Sequence, residues 1–540
     1  MFELHVPRAA GLGLSVVDGQ PMPSGEAGKA SATLYRNPVL SGFHPDPSVC
    51  RVGDDYYLVT STFEYFPGVP IFHSRDLRHW RQLGHCLTRD SQLPLATVKS
   101  SEGIFAPTLR HHDGKFYMVT TNVEGGGNFY VTASDPAGPW SEPIWLASQG
   151  VDPSLLFDDD GLVYFTRQGG GERGGIYQQE LDLTRGQVIG EPKMIWSGTG
   201  GTWPEGPHLY KLFGLYYLMI AEGGTGYGHM VTVARSKSPW GPFESCPRNP
   251  ILSHRDRKGH AIQATGHAEL VQAKDGSWWL IFLGIRPTDG EHHHLGRETF
   301  LAPVVWDDAG WPIVNGNGAI ELMAHAAALP QAVPCPKPTA RDDFDAGTLG
   351  LDWNFVRNPA PGTFSLSARP GFLRLLGSAA SLDEVSLPAF IGRRQEHFRC
   401  RASTRLEFQP QRASEVAGLV VRANETNHYD LLVMADGASR RVELRSRVGG
   451  ISRIVAQQPL AAGPVELTLE ARESQYEFLF MCAGEARSLG TLPTVPLSSE
   501  AAGGFTGVYF GLYASSGPSG GNLPAAPADF DWFEYQPAVE

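Results

Sequence analysis

Three carboxylates sit in unusually stiff surroundings: Asp46 in GFHPDPS, Asp152 in GVDPSLL and Glu205 in TWPEGPHLY. Proline and glycine fix the backbone beside each, and apolar residues stand close by. A charge held rigidly among apolar groups is expensive unless its protonation is being tuned. Each precedes an aromatic-rich segment by a near-constant interval: 11 residues to Tyr57, 12 to Tyr164 and 12 to Tyr217. One such carboxylate alone reads as an ordinary Asx-type turn or capped strand end. Three in one phase read as groups brought to a common place. Two carboxyls suffice to hydrolyse a glycoside, one protonating the leaving oxygen and the other activating water or attacking directly. A third raises a neighbour's pKa by like-charge repulsion. Spacing does not assign the roles.

The elements that must position them form a repeat. GDDYYLVT (53–60), DGKFYMVT (113–120), DGLVYFTR (160–167), FGLYYLMI (213–220) and DGSWWLIF (275–282) are each a turn followed by a strand-like run. Their aligned aromatics, Tyr57, Tyr117, Tyr164, Tyr217 and Trp279, are 60, 47, 53 and 62 residues apart. A period near fifty with several strands per unit indicates propeller blades. HSRDLRHW, ASDPAGPW and RSKSPWGPF follow three of the copies and read as turns between outer strands. The chain therefore predicts an all-β protein: an N-terminal extension (1–32), a five-bladed β-propeller (33–325) and an Ala/Pro-rich linker (326–341). A β-sandwich (342–540) follows, with period-two runs such as VELTLEA and RVELRSR. The same phase in blades two and five falls on Phe105 and His267, so five positions would ring one cup of three acids, an imidazole and an aromatic face.

Composition narrows the function. A net charge of −13 over 540 residues, without a Lys/Arg cluster, opposes nucleic acid or an anionic membrane as partner. No apolar run approaches the roughly 18 residues of a membrane span. Six scattered cysteines without C-x-x-C spacing read as mostly reduced and buried, with no Cys-based metal site. The N-terminus lacks a basic region followed by a sustained apolar one, so the expected location is cytoplasmic. An export signal removed from the sequence is the alternative.

NPVLSGFHPDPSV, DDYYLVTSTFEYFPGVPIFHSRDLRHW, GVDPSLLFDDDG, PEGPHLYK, AEGGTGYGH, TGHAELV and LGRETFLAPVVW together resemble glycoside hydrolase family 43, in particular its two-domain β-xylosidases and α-L-arabinofuranosidases. The resemblance runs in order through the propeller and into a concanavalin-like sandwich ending in DFDWFEY. It implies an inverting enzyme that releases one sugar from a non-reducing end. Asp46 would be the general base, Glu205 the general acid, and Asp152 the acid that orients Glu205 and raises its pKa. Arg297 would contact sugar hydroxyls and a carboxylate. Phe63 and His267 would line the sugar pocket, and Phe105 stands where close β-xylosidase relatives often carry Trp. GGFTGVYFGLY (503–513) matches a loop that the sandwich sends over the pocket, with Phe505 as its lid residue. The chemistry requires no cofactor. The resemblance leaves room for a calcium in the channel near His267, and DDFD (342–345) and DFDWF (529–533) for a structural one. His292, His293 and His294 read as a loop at the pocket rim rather than a metal site.

The expected substrate is a xylo-oligosaccharide or arabinoxylan oligosaccharide, with D-xylose as product and α-L-arabinofuranose as a second. The alternative is an enzyme acting primarily on arabinofuranose in arabinoxylan or arabinan, toward which Phe105 and the TWPEG context lean. A non-catalytic sugar-binding propeller is opposed by the presence of all three acids. A retaining, invertase-like enzyme is opposed by FHPDPS in place of a W-M-N-D-P-N-G-like motif. Oligomerisation stays open.

Overall fold

Each sequence repeat is a β-hairpin, because a Gly-containing turn joins two runs of β-branched and aromatic residues. The computed structural model describes residues 33–326, 333, 339–482, 484–517 and 525–538. The expected extension (1–32), most of the linker and Cys335 lie outside the described residues. The other five cysteines are free thiols, three of them buried.

Five antiparallel sheets follow one another along residues 48–314. Blade I spans Ser48–Val52, Asp55–Val59, Gly68–Ser74 and Arg81–Leu87. Blades II, III, IV and V begin with Gly103–Ile104 and Thr108–His112, Val151–Phe157, Glu205–Leu212 and Gln263–Gln272, respectively. The repeat aromatics all lie on the second strand of their blade. The three Trp-bearing turns join third to fourth strands in blades I, II and IV. Thr33–Arg36 pairs with Met323–Ala326, tying the start of the propeller to its end.

The first strands surround a buried polar pin drawn from all five blades. Glu269 (blade V) accepts hydrogen bonds from Ser48 Oγ (2.5 Å) and Val49 N–H (2.8 Å) of blade I, and pairs with Arg110 of blade II at 2.5 Å. The Arg110 guanidinium also donates to Leu155 O of blade III (3.0 Å) and lies 3.2 Å from His208 Nδ1 of blade IV. Burial lifts the Glu269 carboxyl above its ordinary range, against the pull of Arg110. A guanidinium already supplies the positive charge at this point of the channel, and the donor set around Glu269 does not suit a second cation.

The C-terminal part is a sandwich of two eight-stranded antiparallel sheets. One of them ends on a strand lent by the propeller: Tyr65–Phe66 of blade I pairs with Asn354–Val356. The loan is backed by apolar packing, since one continuous cluster joins Val59, Val69, Leu93 and Ile104 of the propeller to Trp353, Phe355, Leu419 and Val421 of the sandwich. Among the described residues no group of three or more His, Cys, Asp or Glu side chains is arranged to hold a metal. Asp529, in the DFDWF stretch, is instead held by Arg374 (2.7 Å) and Arg369 (3.0 Å).

Candidate active site

The strand register refines the phase read from the sequence. The cross-strand partners of the repeat aromatics are Cys50, Arg110, Leu156, Tyr210 and Val271. Counting back four residues from each gives Asp46, Ala106, Asp152, Gly206 and His267. Four of these five share a left-handed backbone, with φ of 52° (Asp46), 53° (Asp152), 57° (Gly206) and 47° (His267). Glu205 and Phe105 therefore sit one residue ahead of that phase. Counting from the aromatics misplaced them because the first hairpins of blades III and V have longer turns than those of blades I, II and IV. The left-handed turn at Gly206 also explains the glycine of WPEG: a Cβ there would meet the His267 ring at 3.0 Å.

Despite the offset, the three carboxyls share one electrostatic environment. Asp46 is buried, and burial pushes its pKa up. Arg297, His267 and the hydrogen bond from Ser61 Oγ (2.5 Å) outweigh that and hold it below the ordinary range. Arg297 Nη1 donates to Asp46 Oδ1 at 2.9 Å, and His267 Nδ1 lies 3.8 Å from the same oxygen. Glu205 is only partly covered as a residue, yet burial of its carboxyl, then the charges of Asp152 and Asp46, hold it well above the ordinary range. Asp152, buried and accepting the Gly206 N–H at 3.2 Å, is also raised, chiefly by burial. Asp46 is thus biased toward its ionised form and Glu205 toward its protonated form. That is the division of labour required of a proton acceptor and a proton donor facing one bond.

Three aromatic rings cluster beside Arg297. Phe63, Phe105 and Phe505 form a triangle with centroids 5.3, 5.8 and 6.2 Å apart. The Arg297 guanidinium lies 5.5 Å from both the Phe63 and Phe505 rings. Phe505 belongs to the sandwich, so the site is built from both halves of the chain. Its N–H donates to Ser101 Oγ (2.8 Å), and the preceding turn is clamped by His293. Glu500 takes the His293 N–H (2.9 Å) and its ring Nδ1 (2.6 Å). Val508 N–H reaches His294 O at 2.9 Å. His293 and His294 thus tie their loop to the segment that carries Phe505.

The chain as a whole can now be placed. Residues 35–312 match the model for glycosyl hydrolases family 43, and residues 341–536 match the β-xylosidase C-terminal concanavalin A-like domain. The chain belongs to glycosyl hydrolase family 43. It is 48% identical over 507 residues to the non-reducing end α-L-arabinofuranosidase of Bacteroides ovatus, covering 93% of this chain and 94% of that one. To the xylosidase/arabinosidase of Butyrivibrio fibrisolvens it is 44% identical over 500 residues, 89% of this chain and 96% of the other. The solved xylan β-1,4-xylosidase of Bacillus halodurans superposes with a TM-score of 0.87 at 38% identity, over 93% of this chain and all of that one. The family 43 chain is a glycoside hydrolase, and its substrate is a glycan.

Sequence reasoning named Asp46, Asp152, Glu205, Phe63, Phe105, His267, Arg297 and Phe505, and contacts and charge coupling place these eight residues in one neighbourhood. It missed the residues that hold them. Thr225 accepts from Arg297 Nη1 at 3.0 Å, and Ser61 fixes Asp46. His229 lies near enough to influence Asp46, with its pKa pushed down to about 3 by burial. Thr225 and His229 fall inside AEGGTGYGH, whose glycine density was the available signal.

Proposed function

We propose that the protein is an inverting, exo-acting glycosidase that removes single pentose units from non-reducing ends. It releases D-xylose from β-1,4-xylo-oligosaccharides and also takes α-L-arabinofuranose. The observation that carries this reading is the opposite protonation bias of Asp46 and Glu205 in one pocket. In the reaction Glu205 gives its proton to the glycosidic oxygen as the C–O bond breaks. Water attacks the anomeric carbon from the other face and loses its proton to Asp46, so the configuration inverts. The charge of Asp152 keeps Glu205 protonated. Arg297 holds Asp46 and, with the three Phe rings, shapes a cup for one sugar. The lid residue Phe505 supports action at chain ends rather than within a chain.

A reading as primarily an arabinofuranosidase is favoured by the 48%-identical Bacteroides relative. Steady-state kinetics on the p-nitrophenyl glycosides of both pentoses, xylobiose and an arabinoxylan oligosaccharide separate the two readings. NMR of the first-formed product tests the mechanism: the inverted anomer is expected, and a retained anomer overturns it. Glu205→Ala is expected to lower turnover of xylobiose by at least about a hundredfold, and unchanged turnover overturns the acid assignment.

A further inference from the structure

Trp203 is an exposed aromatic two residues before Glu205, and its backbone is left-handed at φ 53°, a rare state for a bulky residue. The side chain is 44% exposed, although large apolar groups normally seek cover. Among the described residues it has no aromatic or cationic ring partner and no hydrogen bond to its indole N–H. Its position is nevertheless firmly built. Buried Glu222 accepts the N–H groups of Thr199 (2.9 Å) and Gly201 (2.9 Å), and also the Thr199 and Thr232 hydroxyls at 3.0 and 2.6 Å. Gly223 N–H donates to Thr202 O, and Trp203 N–H to Glu172 O, both at 2.7 Å. Gly224 runs against the indole, where a Cβ would stand 3.4 Å from Trp203 Cδ1. The next residue, Thr225, holds Arg297.

A strained, rigid and exposed tryptophan has the character of a prepared contact rather than a piece of core. Two residues of chain reach at most about 7 Å, so Trp203 starts on the Glu205 side of the site. The proposed acid must touch the leaving-group oxygen, which puts the departing sugar on that same side. We propose that Trp203 is the stacking platform for the first sugar of the leaving group, and that Glu222 is the positioning residue that fixes its loop. This rests on the glycosidase reading above.

The test compares wild type, Trp203→Ala and Trp203→Phe on two substrates of the preferred pentose. One is an oligosaccharide, and the other is the glycosyl fluoride, which places no sugar beyond the scissile bond. For Trp203→Ala the oligosaccharide KM should rise about tenfold, the equivalent of one lost stacking contact. The glycosyl fluoride should lose less than about threefold, and Trp203→Phe should recover most of the oligosaccharide loss. Equal losses on both substrates, or an unchanged oligosaccharide KM, overturn the platform. A wild type that turns over neither pentose series overturns the glycosidase reading itself. That outcome is distinct, because the platform fails only where wild type is active.

Discussion

The Glu205 pKa is raised first by burial and then by the charge of Asp152, so the neighbour offers a way to tune the acid. Replacing Asp152 by Asn removes that charge and favours ionised Glu205, so its pKa falls. The alkaline limb of the kcat/KM profile should therefore move to lower pH, while the acid limb, set by Asp46, stays close to its place. A pH–rate series on wild type and Asp152→Asn checks this, and an alkaline limb that stays put contradicts it. These charges were legible in the sequence because Pro and Gly advertise a fixed backbone. Their holders were not: Thr225 and Ser61 are small hydroxyl residues whose roles arise only when distant strands converge.

At the scale of elements, two polar devices fix what the strands present. Removing Arg110 would leave Glu269 buried without the guanidinium that balances its charge. Arg110→Met should destabilise the fold by about 3–5 kcal/mol, the usual cost of an orphaned buried ion, read as a lower midpoint in urea. The segment carrying Phe505 is gripped by the two contacts between Glu500 and His293. Glu500→Ala should loosen Phe505 and raise KM about three- to tenfold with little change in global stability. A KM equal to wild type would show that the loop docks without this grip. The blades were legible because a hairpin is local, with turn and strand adjacent in sequence. The register was not, because one extra turn residue displaces a whole strand relative to its repeat. The pin was equally hidden, since Arg110 and Glu269 look like ordinary surface charges until the ring closes around them.

Across the whole molecule, the sandwich is part of the enzyme rather than an appendage. It packs Phe505 against Phe63 beside the candidate site and receives Tyr65–Phe66 as an edge strand. It also sends Arg422 and Arg357 into the propeller boundary, where Arg422 meets the Tyr65 hydroxyl at 3.0 Å and Ser100 Oγ at 3.1 Å. Arg357 donates to Val98 O at 2.5 Å. Ser101, next to Ser100, is the residue that catches the Phe505 N–H. The interface is thus a shared core, rather than the wet, polar surface typical of mobile domains. A chain ending at residue 325 would expose the apolar faces of blades I and II and leave Glu64 without Arg422, which lies 3.6 Å away. It should fail to accumulate as a soluble folded protein, or unfold at a clearly lower temperature than the full chain, with no pentosidase activity. Recovery of a stable, active propeller from that truncation would show that the two halves are energetically separable. In that case the aromatic contacts of Phe505 would contribute nothing essential to the reaction.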